Sequence, residues 1–130
     1  MAAPPPEVIT KASPRSVEDT VTRFGELASE KGVKVFAVID HSGEAQAVGL
    51  ELPDTKLVIF GSPRAGTPAM QAAPLIALDL PLKILVWDEG GHTGVSYLAP
   101  AALAARYDLS EELAAPLRAI DALTDALIAS

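Results

Sequence analysis

Leu82-Lys83-Ile84-Leu85-Val86-Trp87, Asp88-Glu89-Gly90-Gly91-His92-Thr93-Gly94 and Val95-Ser96-Tyr97-Leu98 follow one another without a break. The first and last stretches are apolar and rich in β-formers. The middle one collects the glycines and polar residues that turns require. Together they read as an antiparallel hairpin. A hairpin argues against an all-parallel sheet, whose strands are joined by long crossovers. The remaining segments do not alternate strictly between strand and helix. The expected class is therefore α+β, a compact single domain with a mainly antiparallel sheet of about five strands packed against helices.

Upstream of the hairpin, residues 55–60 form a second apolar strand ending at Gly61, and residues 33–39 a third. In the third, Val33, Val35, Ala37 and Ile39 share one face, and Phe36 and Val38 the other. Both faces are apolar, which predicts a central strand or one covered on both sides. Residues 7–11 carry Val8, Ile9 and Thr10 and suit a short strand. Between these lies a helix. Ser16 with Asp19 three positions on resembles a capping box, with Ser13-Pro14 as a competing start. Val17, Val21, Phe24 and Ala28 form its apolar face, and Gly32 can close it. Residues 42–49 are long enough for one or two helical turns. Residues 61–67 read as a loop, with Thr67 as N-cap and Pro68 as the first residue of a helix running to about residue 73.

Downstream, residues 100–107 suggest a short helix and residues 110–128 the terminal one. Leu113, Leu117, Ile120, Leu123 and Leu127 make its apolar stripe, with Pro116 able to delay its start. Asp79 and Lys83 interrupt an apolar stretch, so each needs a partner if buried. An ion pair between them is expected, with Asp79 capping a turn as the alternative. Residues 1–6, with three consecutive prolines, read as a disordered tail, and residues 7–130 as the single domain.

The chain of 130 residues carries 17 acidic and 10 basic side chains, a net charge of −7. Such a chain lacks the electrostatic footprint of a nucleic-acid or anionic-membrane binder. It has no cysteine, which excludes disulfides, thiolate ligands and thiol chemistry and suits a reducing compartment. No apolar h-region opens it, and its longest apolar run, residues 72–82, is broken by Pro74, Asp79 and Pro81. A cytoplasmic location without nucleic-acid or membrane partners is the expectation.

The order and spacing of several segments resemble the bacterial family called domain of unknown function 302. They are Val35-Phe36-Ala37-Val38-Ile39-Asp40-His41, Val48-Gly49-Leu50-Glu51-Leu52, Leu57-Val58-Ile59-Phe60-Gly61, Gly66-Thr67-Pro68-Ala69-Met70-Gln71 and Ala77-Leu78-Asp79-Leu80-Pro81-Leu82-Lys83-Ile84-Leu85-Val86-Trp87. The resemblance covers about residues 7–109 and stops short of the C-terminal helix. It implies a compact α+β fold with an antiparallel sheet, a homodimer, and no established reaction. The family usually carries Asn and Lys where this chain has Ser62 and Arg64; the second change keeps the charge but alters its geometry.

Chemistry concentrates at two strand ends. Asp40-His41 closes one strand. A histidine there can exchange protons near neutrality, or Asp40 can cap the next helix while His41 bonds to backbone. Gly61-Ser62-Pro63-Arg64-Ala65-Gly66-Thr67 closes another. The start of a helix favours anions, and Arg64 adds a bidentate fork; alternatively Gly61 and Gly66 simply make the turn. Gln71 shares a side with Thr67 and can bond a ligand, while Met70 suits core filling. The expected ligand-binding set is Asp40, His41, Gly61, Arg64, Gly66, Thr67 and Gln71. His41 and Asp40 are the catalytic candidates. No metal framework, G-x-S-x-G elbow or base-stacking platform is present in the sequence, and the cofactor is unknown.

Three functions fit. The preferred one is a homodimer binding a small molecule or anion at a site shared by the Asp40-His41 end and the 61–67 loop. The second is an enzyme with His41 as general acid or base and the loop as oxyanion or phosphate cradle. The third is a dimerisation module without a ligand. The first two require the two strand ends to lie side by side.

Overall fold

A computed structural model of the protein describes residues 7–129; the tail expected at residues 1–6 lies outside the described residues. The strands are β1 Val8–Ser13, β2 Lys34–Asp40, β3 Thr55–Gly61, β4 Leu82–Glu89 and β5 His92–Leu98. They form one sheet in the order β1-β5-β4-β3-β2, antiparallel throughout. The hairpin that decided the class is β4–β5. Its pairing runs from Leu85–Ser96 to Glu89–His92, with Gly90 and Gly91 at φ 64° and 96° making the turn.

The helices are α1 Val17–Glu30, α2 His41–Ala47, α3 Pro63–Ala72, α4 Pro100–Arg106, α5 Glu111–Ala114 and α6 Ala119–Ile128. Ser16 caps α1 by accepting from the Asp19 N–H at 3.0 Å, as its spacing predicts. Its apolar stripe buries Val17, Phe24, Leu27 and Ala28 against Val58, Phe60, Ile84, Val86, Val95 and Tyr97 of the sheet. Phe24 meets Phe60 edge on, ring centres 4.8 Å apart.

The terminal segment bends at Pro116 through a 3-10 turn, then lays Ile120, Leu123 and Leu127 of α6 into the same core. Polar contacts fix its seat. The Lys11 ammonium of β1 donates to the Thr124 hydroxyl and the Asp125 carboxylate, each at 2.7 Å. The Tyr97 hydroxyl donates to Asp121 at 2.6 Å. Burial pulls the Lys11 pKa down, but the Asp125 carboxylate and the Tyr97 hydroxyl outweigh it and the net shift is upward. A smaller cluster of Ala69, Ile76, Leu103 and Leu117 packs beyond one end of the sheet.

Three expectations need correction. Strand β2 is not central or doubly covered; it is an edge strand, with Phe36 43% and Val38 47% exposed. Apolar composition on both faces reported the side chains, not the strand's place in the sheet. Helix α3 starts at Pro63 with Ser62 as N-cap, five residues before the expected cap at Thr67. Both sites offer a hydroxyl residue before a proline, and the earlier one takes the helix. Asp79 and Lys83 do not form an ion pair. Lys83 donates to the backbone carbonyls of Asp79 and Pro81 at 3.3 and 3.1 Å. The Asp79 carboxylate accepts from the Tyr107 hydroxyl and from Arg106, which hold it below the usual range.

Candidate functional site

The β2–β3 pairing decides the fate of the expected composite site. Asp40 lies opposite Lys56, while Lys34 lies opposite Gly61. The Asp40-His41 end and the Gly61 end are therefore at opposite ends of the antiparallel pair, about 17 Å apart at 3.4 Å per residue. One site shared by both is not formed. The acid–base reading, which needed His41 to face the loop, loses the same geometry.

At the first end, Asp40 is the N-cap of α2. Its carboxylate accepts from the Ser42 hydroxyl at 2.6 Å and the Gly43 N–H at 2.9 Å. These two bonds hold its pKa below the ordinary value. Ser42 in turn accepts from the Thr55 N–H at 3.1 Å, tying the helix to the start of β3. His41 is exposed on the first turn of α2. A wide polar hollow beside this helix is lined by Asp40, Ser42, Gln46, Glu51 and Asp54, without His41.

The second end has a different chemistry. Gly61 and Gly66 do lie together there, lining a cavity of about 200 Å³. The 61–67 segment is not a cradle, because residues 63–67 are already helical. Arg64, Thr67 and Gln71 are exposed on α3 and do not line the cavity. Phe36 and Phe60 close it from the sheet, Met70 and Leu80 from α3 and the turn after it, and Leu117 and Leu123 from the terminal segment. Ser62 is the one residue with a polar side chain among its lining residues, and its hydroxyl is not spent on capping α3.

Sequence reasoning missed most of this lining. Leu117, Ile120 and Leu123 were legible as a packing stripe, but nothing in that stripe says that space remains beside it. Among the described residues no group of three or more His, Cys, Asp or Glu side chains is placed to hold a metal ion. No helix among them is long and apolar enough to cross a membrane.

An antiparallel five-stranded sheet with α1 and α6 on one face defines an α+β domain with an apolar cavity at one sheet end. The chain belongs to the family described as Domain of unknown function DUF302, whose model matches residues 9–127. The match takes in the terminal helix, which the sequence resemblance had left out. The fold is also that of the uncharacterized conserved protein DUF302 from Bacillus stearothermophilus. The TM-score is 0.80, covering 95% of this chain and 97% of that one at 18% identity. The proteins named Fluoride-specific ion channel FluC 1 of Brucella suis and Brucella abortus are each 41% identical to it over 103 residues, 78% of this chain. The match spans only 41% and 38% of their respective lengths.

Proposed function

We propose that this domain binds a small apolar molecule in the cavity between α3, the end of the sheet and the terminal helix, and that it works as a homodimer in the cytoplasm. One observation carries the binding reading: about 200 Å³ of space walled by aliphatic and aromatic side chains, with a single hydroxyl at its margin. Apolar cavities of about 150 Å³ stay dry and accept a benzene-sized guest. Walls of this kind disfavour a bare phosphate or carboxylate, whose charge would lose its hydration without gaining donors. The anion half of the expected ligand class is therefore set aside in favour of the small-molecule half. A body of six to eight carbons, at about 0.8 kcal/mol per buried CH₂, gives affinities near 100 µM.

The relatives named as fluoride channels supply a second arm for the same experiment. Their match to this chain covers two-fifths of their length, and no helix of the described residues is suited to cross a membrane. We read the shared part as an accessory domain in those proteins. The test is an NMR titration of backbone amides with toluene, indole and hexanol, alongside inorganic phosphate, acetate and sodium fluoride. Shifts in residues 61–66 and 117–123 with the apolar probes alone support the proposal. Ala119→Phe, on the exposed rim of the cavity, abolishes them. Silence toward all three apolar probes, or a response only to the anions, overturns it.

A further inference from the structure

The sheet has two faces of unequal fate. α1 and α6 pack against Val58, Phe60, Ile84, Val86, Val95 and Tyr97. The alternating residues point the other way, since side chains reverse at each step along a strand. There Leu57, Ile59, Leu85 and Trp87 are only half-buried, beside fully buried neighbours on the same strands. On a chain with 17 acidic residues, the middle of this face carries no charge.

Its polar groups are already satisfied. The Trp87 indole N–H donates to the Ser96 hydroxyl at 2.8 Å, and Ser96 shares a hydrogen bond with Thr10 at 2.8 Å. Gly94 makes this possible: a Cβ there would stand 3.0 Å from the indole nitrogen. Covering the face therefore strands no donor or acceptor, which is the usual penalty for burying a polar sheet surface.

The charges sit at its ends, and they differ in sign. Lys83, opposite Ile59, and Lys34, opposite Gly61, mark one end; the Asp79 carboxylate beside Lys83 is engaged by Arg106 and Tyr107, so this end keeps a net positive charge. Glu89, whose carboxylate reaches to 3.5 Å from the position of a Gly94 Cβ, marks the other. We infer that this open face is the interface with a second copy of the chain, packed sheet to sheet about a two-fold axis that runs between the sheets and across the strands. That axis reverses the strand direction of the partner, bringing each lysine end toward a Glu89 end. An axis along the strands would set like charges together. A two-fold contact must be self-complementary, and a neutral centre with opposite ends meets that condition. Five strands spaced about 4.8 Å apart and about 20 Å long present roughly 500 Å² per copy. The pair then buries roughly 1,000 Å², the threshold for a specific association.

This inference rests on the homodimer reading and is independent of the cavity. Sedimentation velocity on the full chain between about 1 and 200 µM tests it, with emission from the single tryptophan, Trp87, as a second signal. A species of twice the 13.5 kDa chain mass is expected, with blue-shifted emission as it forms. Leu85→Arg weakens association at least tenfold. Glu89→Lys, on the exposed rim, weakens it about three- to tenfold, and adding Lys83→Glu restores most of the loss. A monomer at every concentration overturns both the pairing and this face. A dimer unaffected by Leu85→Arg and Glu89→Lys overturns this face alone. Sensitivity to Leu85→Arg without sensitivity to Glu89→Lys overturns the crossed arrangement.

Discussion

The two ends of the β2–β3 pair carry residues that look equally functional in the sequence, yet they do opposite things. At the Asp40 end, Asp40 and Ser42 are engaged in local structure, Asp40 with Ser42 and Gly43 and Ser42 with Thr55, while His41 stands exposed. At the Gly61 end, the conspicuous polar residues Arg64, Thr67 and Gln71 are exposed, and apolar walls line a cavity that opens to solvent. The comparison teaches that polar residues clustered at a strand tip are first of all capping equipment. Capacity for a guest arises where apolar side chains fail to fill a junction between elements.

The largest expected difference lies between Phe60 and Ser42. Phe60 is buried, touches Phe24 and closes the cavity from the sheet side. Phe60→Ala should cost about 3–5 kcal/mol, the usual range for removing a buried aromatic ring. Ser42→Ala removes two hydrogen bonds at a partly exposed site and should cost about 0.5–1.5 kcal/mol. Urea midpoints at unchanged slope measure both. Equal losses at the two positions would break the contrast between a packed end and a capped end.

Much of this was legible because it is local. The cap at Ser16, the α1 stripe and the β4–β5 turn each follow from residues a few positions apart, whereas Pro116, expected to delay the start of one terminal helix, interrupts that segment between α5 and α6. The edge position of β2 was not legible. Strand order depends on which distant segments pair, and Val35-Phe36-Ala37-Val38-Ile39 has the same composition wherever it is placed. The start of α3 was ambiguous for a different reason, since Ser62-Pro63 and Thr67-Pro68 offer the same chemistry twice. The cavity is the least legible feature. It is a space left by segments around residues 36, 60, 66, 80 and 117, and no pattern in any one of them encodes it.

A smaller effect distinguishes the ends by sign. Gly66 and Gly43 are both helical. A Cβ on Gly66 would meet Leu80 and Met70 at 3.7 Å, ordinary contact. Gly66→Ala should therefore stabilise by about 0.5–1 kcal/mol through helix propensity. A Cβ on Gly43 would lie 2.6 Å from an Asp40 carboxylate oxygen. Gly43→Ala must displace the cap, so the same propensity gain is offset or reversed. Thermal unfolding of the two variants side by side is the check. A stabilised Gly43→Ala protein would show that the cap at Asp40 contributes little.

The subtlest difference is in acid. Hydrogen bonds from Ser42 and Gly43 lower the Asp40 pKa from its ordinary 3.8 in the folded chain. A carboxylate depressed on folding adds stability above its unfolded value, and that contribution is lost as the pH falls through the folded value. Asp40→Asn keeps a competent N-cap but cannot titrate. Wild type and Asp40→Asn should therefore differ by a constant amount above about pH 5, and the gap should change only below about pH 4. The Gly61 end offers no such titration, because the cavity lining holds no ionisable side chain. Phe60→Ala should accordingly shift stability by the same amount at pH 3.5 and pH 7, and a strongly pH-dependent penalty there would place a titrating group against the cavity that this geometry lacks.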